Sequence, residues 1–140
     1  MAFTANSGSA LTERFFENVL KRLLSFGCEL TEDDAYSVSF CSLKIENHIK
    51  NSCNVTSLPD GLLNVAVDMV CGEFLFAKKQ TGKLTLDDLD LDGAISSIHE
   101  GDTTVQFTAG QSDEEKFNTM VNYLLHGGEG ELVCYRRIKW

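Results

Sequence analysis

Between Leu58 and Gln80 apolar residues fall on nearly every side of a helical wheel. They are Leu62, Leu63, Val65, Ala66, Val67, Met69, Val70, Cys71, Phe74, Leu75, Phe76 and Ala77, and only Asn64 and Asp68 mark a narrow polar stripe. A helix this apolar all round has to be buried by neighbours. Pro59 and Asp60 suit its first turn, where a missing N–H loses no intrahelical bond and a carboxylate meets the positive end of the helix dipole; Lys78 and Lys79 complement the other end. Asp68 and Glu73 break the run, which therefore falls short of the roughly 18 uninterrupted apolar residues of a membrane span. The pattern predicts a central core helix.

Three further helices are predicted around it. From Leu11 to Phe26, Phe15, Phe16, Val19, Leu20, Leu23 and Leu24 recur at three- and four-residue spacing, and Gly27 follows as a left-handed cap. From Thr31, where Thr31 or the acids after it can cap free N–H groups, a second helix runs to about Asn51. Its inner face is Val38, Cys41, Ile45 and Ile49, with Lys44, Glu46, Asn47 and Lys50 mostly outside. Ser112 to Glu115 forms a capping-box signature, and Phe117, Met120, Val121, Leu124 and Leu125 carry a last amphipathic helix to His126, ended by Gly127 and Gly128.

Elsewhere the period changes. Leu84, Leu86, Leu89 and Leu91 alternate with polar residues, which leaves a loose strand and a short turn both open. Ile95 to Thr108 reads as a β-hairpin turning at Glu100-Gly-Asp102, and Glu131 to Trp140 as a strand or extended arm. The fold class expected is mainly α: a small helical bundle around a central buried helix, with a β-hairpin and an extended C-terminal strand or arm. With 140 residues and 43% hydrophobic content, one domain spans the chain. Residues 1–10 are expected as a mobile N-terminal arm and 129–140 as a C-terminal arm.

Charge narrows the function classes. Lys and Arg number 12 against 21 Asp and Glu, a net formal charge of -9, and three of the cations sit at Arg136, Arg137 and Lys139. Affinity for phosphates rests on clustered cations, so this acidic body does not suit gripping nucleic acid. Five cysteines, Cys28, Cys41, Cys53, Cys71 and Cys134, are odd in number and form no Cys-x-x-Cys pair, so small buried hydrophobes are expected rather than a disulfide framework or a zinc site. The N-terminus has neither the cationic start nor the apolar stretch of a signal peptide, which points to a reducing, cytosolic origin; the sequon at Asn54 is then an accident of composition.

Candidate chemistry is sparse. Asp88, Asp90, Asp92 and Gly93 match the first half of an EF-hand loop, but the position of the bidentate carboxylate holds His99, and Glu100 comes one residue late. His48, His99 and His126 lie far apart with no ligand-spaced neighbour. A Cys–His pair meeting in space is weakly supported by unclustered cysteines, and no phosphate-binding or nucleophile-elbow motif occurs. No catalytic, cofactor or metal residue is proposed, and the chain is not read as an enzyme. Tyr135, Arg136, Arg137, Ile138, Lys139 and Trp140 are more informative: either a final strand, or an arm that anchors a partner through Arg and Trp, residue types frequent at binding hot spots.

Four phrases occur in order: Ile49-Lys-Asn-Ser-Cys-Asn-Val55, Leu58-Pro-Asp-Gly-Leu-Leu-Asn-Val-Ala-Val-Asp-Met-Val70, Ile98-His-Glu-Gly-Asp-Thr-Thr-Val105 and Tyr135-Arg-Arg-Ile-Lys-Trp140. With them the chain resembles the head-tail connector (adaptor) proteins of tailed bacteriophages of Gram-positive hosts and of prophage-like elements, from about Thr31 onward. The resemblance implies a structural virion protein of the neck, between capsid and tail, present in the host cytoplasm during assembly. It would form a homo-oligomeric ring, typically of twelve copies, on the portal protein, extend the DNA channel without specific DNA binding, and dock a tail-completion or stopper protein. Tyr135 to Trp140 would engage the portal or another partner, and Ile98, Glu100, Asp102 and Val105 in the hairpin would make subunit contacts. No membrane and no cofactor are implied. The other reading is a small cytosolic regulator that binds one protein through the same basic-aromatic tail.

Overall fold

The structure, a computed structural model, describes residues 10–56, 58–101 and 112–135. Among these residues six α-helices run in order: α1 (Ala10–Ser25), α2 (Glu32–Cys53), α3 (Leu63–Gln80), α4 (Leu91–Gly101), α5 (Asp113–His126) and α6 (Glu129–Tyr135). Among the described residues there is no strand. The mainly helical class and the central helix are as the sequence predicts.

α3 is enclosed by α1, α2 and α5, while α4 packs on α5 and α6 on α2. Ala66, Val67, Met69, Val70, Cys71, Gly72, Phe74 and Leu75 are all buried. Around them lie Phe15, Phe16, Val19 and Leu23 of α1, Val38, Cys41, Ile45 and Ile49 of α2, and Phe117, Met120, Val121 and Leu124 of α5. Each of these was on its predicted inner face. Leu24, Phe76 and Ala77 were also expected inside but are exposed: Leu24 lies at the edge of the buried face of α1, and Phe76 and Ala77 lie in the last turns of α3. At Gly72 the helices approach so closely that an added Cβ would lie 3.0 Å from both Leu124 Cβ and Leu125 Cγ.

Caps set the lengths. Gly27 (φ 83°) and Gly82 (φ 75°) take the left-handed conformation, and the N–H groups of Cys28 and Lys83 return to the carbonyls of Leu23 and Lys78 at 3.1 Å each. Asn54 (φ 53°) ends α2 likewise, with Val55 N–H on the Lys50 carbonyl at 3.1 Å. Ser112 caps α5 by accepting the Glu115 N–H at 3.2 Å. At the start of the core helix, Pro59 precedes a single 3-10 turn, Asp60–Leu62, before α3 begins.

Two expectations need correction. Residues 95–101 are not the first arm of a β-hairpin but the body of α4. Asp90 caps that helix: its Oδ1 accepts the Gly93 N–H at 3.1 Å and its carbonyl the Ala94 N–H at 2.9 Å. Leu91, Ala94, Ile95 and Ile98 share helical spacing, and that period outweighs the β-branched residue types. The rest of the expected hairpin, residues 102–108, lies outside the described residues. The C-terminal stretch is likewise no strand as far as Tyr135: Gly127 stays in the right-handed region, Glu131 N–H reaches the Gly128 carbonyl at 3.0 Å, and the chain re-enters a helix whose Leu132 is buried. Residues 136–140 and the expected arm at 1–9 lie outside the described residues. Between α3 and α4 the leucine alternation resolves as a 3-10 turn, Leu86–Asp88, with Leu84, Leu89 and Leu91 buried.

The two faces of α2 can be told apart by mutation. Ile49→Ala should cost about 2–5 kcal/mol by leaving a core cavity. Leu43→Ala, on the outer face, should change stability by less than about 0.5 kcal/mol. Urea unfolding of dilute protein measures both, and equal losses would contradict the assignment of faces.

Candidate functional site

The polar stripe of α3 opens into a shallow groove. Asn64 and Asp68 form its floor and are shared by two adjoining depressions of about 480 and 280 Å³. Asn18, Lys21, Arg22 and Ser25 of α1 make one wall. Tyr123, Gly127, Gly128 and Glu131, at the junction of α5 and α6, make the other. Gly128 lets that junction close onto α3: a Cβ there would lie 2.6 Å from Val65 Cγ1.

Asp68 is the chemical centre of the groove. Arg22 Nε donates to its Oδ1 at 3.2 Å, and the Arg22 guanidinium lies 5.0 Å from the centre of the Phe26 ring. Burial pushes the Asp68 carboxyl above its ordinary range, and Arg22 only partly offsets this. At neutral pH the groove thus holds a carboxylate that folding disfavours. A groove so open and of mixed charge suits a polar segment of another macromolecule better than a small molecule, whose sites are mostly enclosed and apolar.

A second acid behaves in the opposite way. Asp34, in the first turn of α2, accepts the Thr31 N–H and the Lys78 ammonium, each at 2.9 Å on Oδ2. Burial works to raise its pKa, but those two donors outweigh it and hold the carboxyl below its ordinary 3.8. This pair ties α2 to the C-terminal end of α3.

The outer face of α2 is the other distinctive surface. Tyr36, Phe40 and Leu43 are 77%, 59% and 58% exposed, and they lie on the side opposite Val38, Cys41, Ile45 and Ile49. The three- and four-residue spacing that reveals the inner face reveals this one as well.

The predicted site residues are placed as follows. Ile98 and Glu100 lie on α4, whereas Asp102 and Val105 fall outside the described residues. Tyr135 ends α6, and Arg136, Arg137, Ile138, Lys139 and Trp140 fall outside. Asp90, the middle carboxylate of the EF-hand-like run, is occupied as a helix cap, and Asp92 reaches Lys116 at 3.3 Å. Among the described residues no group of three or more His, Cys, Asp and Glu side chains is placed to hold a metal ion. His48 is exposed on α2, His99 lies on α4, and His126 Nδ1 is 2.6 Å from Glu129 Oε1. Cys28, Cys41, Cys53 and Cys71 are buried, and none of the four forms a disulfide with another described cysteine. Burial, with Glu73 adding to it, pushes the Cys41 thiol up to about 11, and burial drives Cys71 up as well, so neither provides a thiolate at neutral pH.

Compared with protein-family models, characterised proteins and solved structures, the chain matches none. The connector reading therefore rests on the residues that carry the resemblance.

The two acids predict opposite mutant effects. Asp34, lowered in the folded state, contributes stability above its unfolded pKa, and that contribution is lost as pH falls through the folded value. Asp34→Asn should destabilise at pH 7, with the difference from the parent shrinking below about pH 4. Asp68, raised in the folded state, lowers stability once ionised, so Asp68→Asn should be neutral or stabilising at pH 7. Thermal melts of both variants between pH 3 and pH 7 check the signs, and matching signs at pH 7 would contradict this electrostatic assignment.

Proposed function

We propose that the chain is a head-tail connector subunit of a tailed bacteriophage or prophage-like element. In this reading it is a structural virion protein that assembles as a ring on the portal, extends the DNA channel, and offers a docking surface to a tail-completion or stopper protein. The observation that carries the proposal is the ordered set of phrases at 49–55, 58–70, 98–105 and 135–140. Physical features support it. The apolar mass is gathered around α3, which leaves a rigid unit whose partners must use its outside. Among the described residues no helix is long and apolar enough to cross a membrane. A net charge of -9 suits a channel wall along which DNA slides without being held, since like charge disfavours phosphate contacts.

The division of labour follows the charge. α6 brings the chain to Tyr135, immediately before the cationic stretch Arg136, Arg137 and Lys139 that we assign to the portal. Arg and Trp there would supply ion pairs and an aromatic anchor. α4, with Ile98 and Glu100, is the candidate for contact between subunits or with the next ring, now as a helix.

The proposal is tested by adding the chain to portal-bearing capsids of the phage or prophage that encodes it and measuring bound mass. A ring's worth of subunits should bind. A chain ending at Tyr135 should lose docking and keep its helical circular dichroism, since it retains all the described helices. No affinity of the full chain for portals, or docking that survives the truncation, would overturn the assignment. A one-to-one complex with a protein other than the portal would favour a regulator acting through the same tail.

A further inference from the structure

α2 carries two seams. Val38, Cys41, Ile45 and Ile49 face the core, and on the opposite side Asp33, Tyr36, Phe40, Leu43, Asn47 and Lys50 follow one another at alternating intervals of three and four residues. That interval is the heptad repeat, which keeps a seam facing a second helix along its length. The middle of the outer seam is large and apolar and open to solvent, whereas its two ends are oppositely charged. Tyr36, Phe40 and Leu43 are left largely uncovered by the described elements, so the repeat offers an apolar face to a second helix.

We infer that this seam pairs with the same seam of a second copy, antiparallel and across a two-fold axis. Setting Phe40 against the partner's Leu43 brings Tyr36 opposite the partner's Asn47 and Asp33 opposite the partner's Lys50. The Tyr36 hydroxyl then has an amide to bond with, and each end of the seam carries an opposite-charge pair. A parallel pairing would instead stack Asp33 on the partner's Asp33 and Lys50 on the partner's Lys50, so the charge pattern selects the antiparallel arrangement. Among the described residues Lys50 pairs with Glu46, at 2.9 Å one turn away on the helix surface, a contact of little strength.

The seam is short. Asp33 to Lys50 spans roughly 26 Å of helix, and one such contact falls below the about 1,200 Å² buried by stable complexes, so the pair is weak and concentration-dependent. A two-fold contact also closes on itself and cannot build a ring, which needs a head-to-tail contact. The pair is thus a state of the free subunit and does not depend on the connector reading.

Sedimentation equilibrium of the full chain alone, without portal, from about 10 µM to about 1 mM, tests this. A monomer–dimer equilibrium is expected. Phe40→Ser combined with Leu43→Ser should abolish it while the variant keeps its helical circular dichroism and a cooperative melt, since both side chains are mostly exposed. Asp33→Lys and Lys50→Asp should each weaken association about threefold, and the two together should restore it. A chain monomeric throughout, or any assembly that survives the Phe40 and Leu43 changes, overturns the inference. Failure of the double charge exchange to recover association overturns the antiparallel register.

Discussion

A helix with almost no polar side must be covered on all of them, and that requirement organises this fold. α3 meets it with three long neighbours, and its own charged residues show how each is seated. Asp68 pairs with Arg22 of α1, Glu73 with Lys44 and Lys78 with Asp34 of α2, and Lys79 with Glu114 of α5. The exposed pairs, Lys44–Glu73 and Lys79–Glu114, add little stability, whereas the buried Asp34–Lys78 pair contributes more. Their effect is on register, because each ties a known turn of α3 to a known turn of a neighbour. The apolar contacts supply most of the stabilisation and the ion pairs restrict how the helices slide, while Gly72 permits α5 to approach closely.

Much of this was readable from periodicity alone. Where three- and four-residue spacing ran for several turns, as at Val38, Cys41, Ile45 and Ile49, the buried face was legible residue by residue. Gly27 was legible as a cap because only a few residues tolerate its backbone angles. The failures came in short segments. In α4, β-branched residues suggested a strand, and the helix became evident only through the Asp90 cap, whose effect depends on backbone geometry. At Gly127 and Gly128 a strong breaker signal was answered by a right-handed turn and a new helix, because α2 offers α6 a surface to pack on. That surface is distant in sequence and leaves no local mark.

The candidate surfaces divide along the same line. Asn64 and Asp68 stood out as the one polar stripe on an apolar helix, but the groove above them is built by α1, α5 and α6, and Arg22 lies 46 residues from its partner. The outer seam of α2 was legible in principle, since its spacing is as regular as that of the inner one. It is hidden by the habit of assigning one apolar face to each helix. In both places the chain presents open surfaces, while the thiols of Cys28, Cys41, Cys53 and Cys71 are kept in the core. The connector role proposed above would call for such a layout, with a rigid interior and recognition spread over the exterior.

If α3 is the element on which the rest depends, its amides must be the last to open. Native-state hydrogen exchange across the backbone measures this directly. The slowest amides should lie between Ala66 and Leu75 and exchange only with global unfolding, with α1, α2 and α5 opening at lower free energy and α4 and α6 before them. Protection greatest in α2 or α5, with α3 exchanging earlier, would contradict the central place given to this helix.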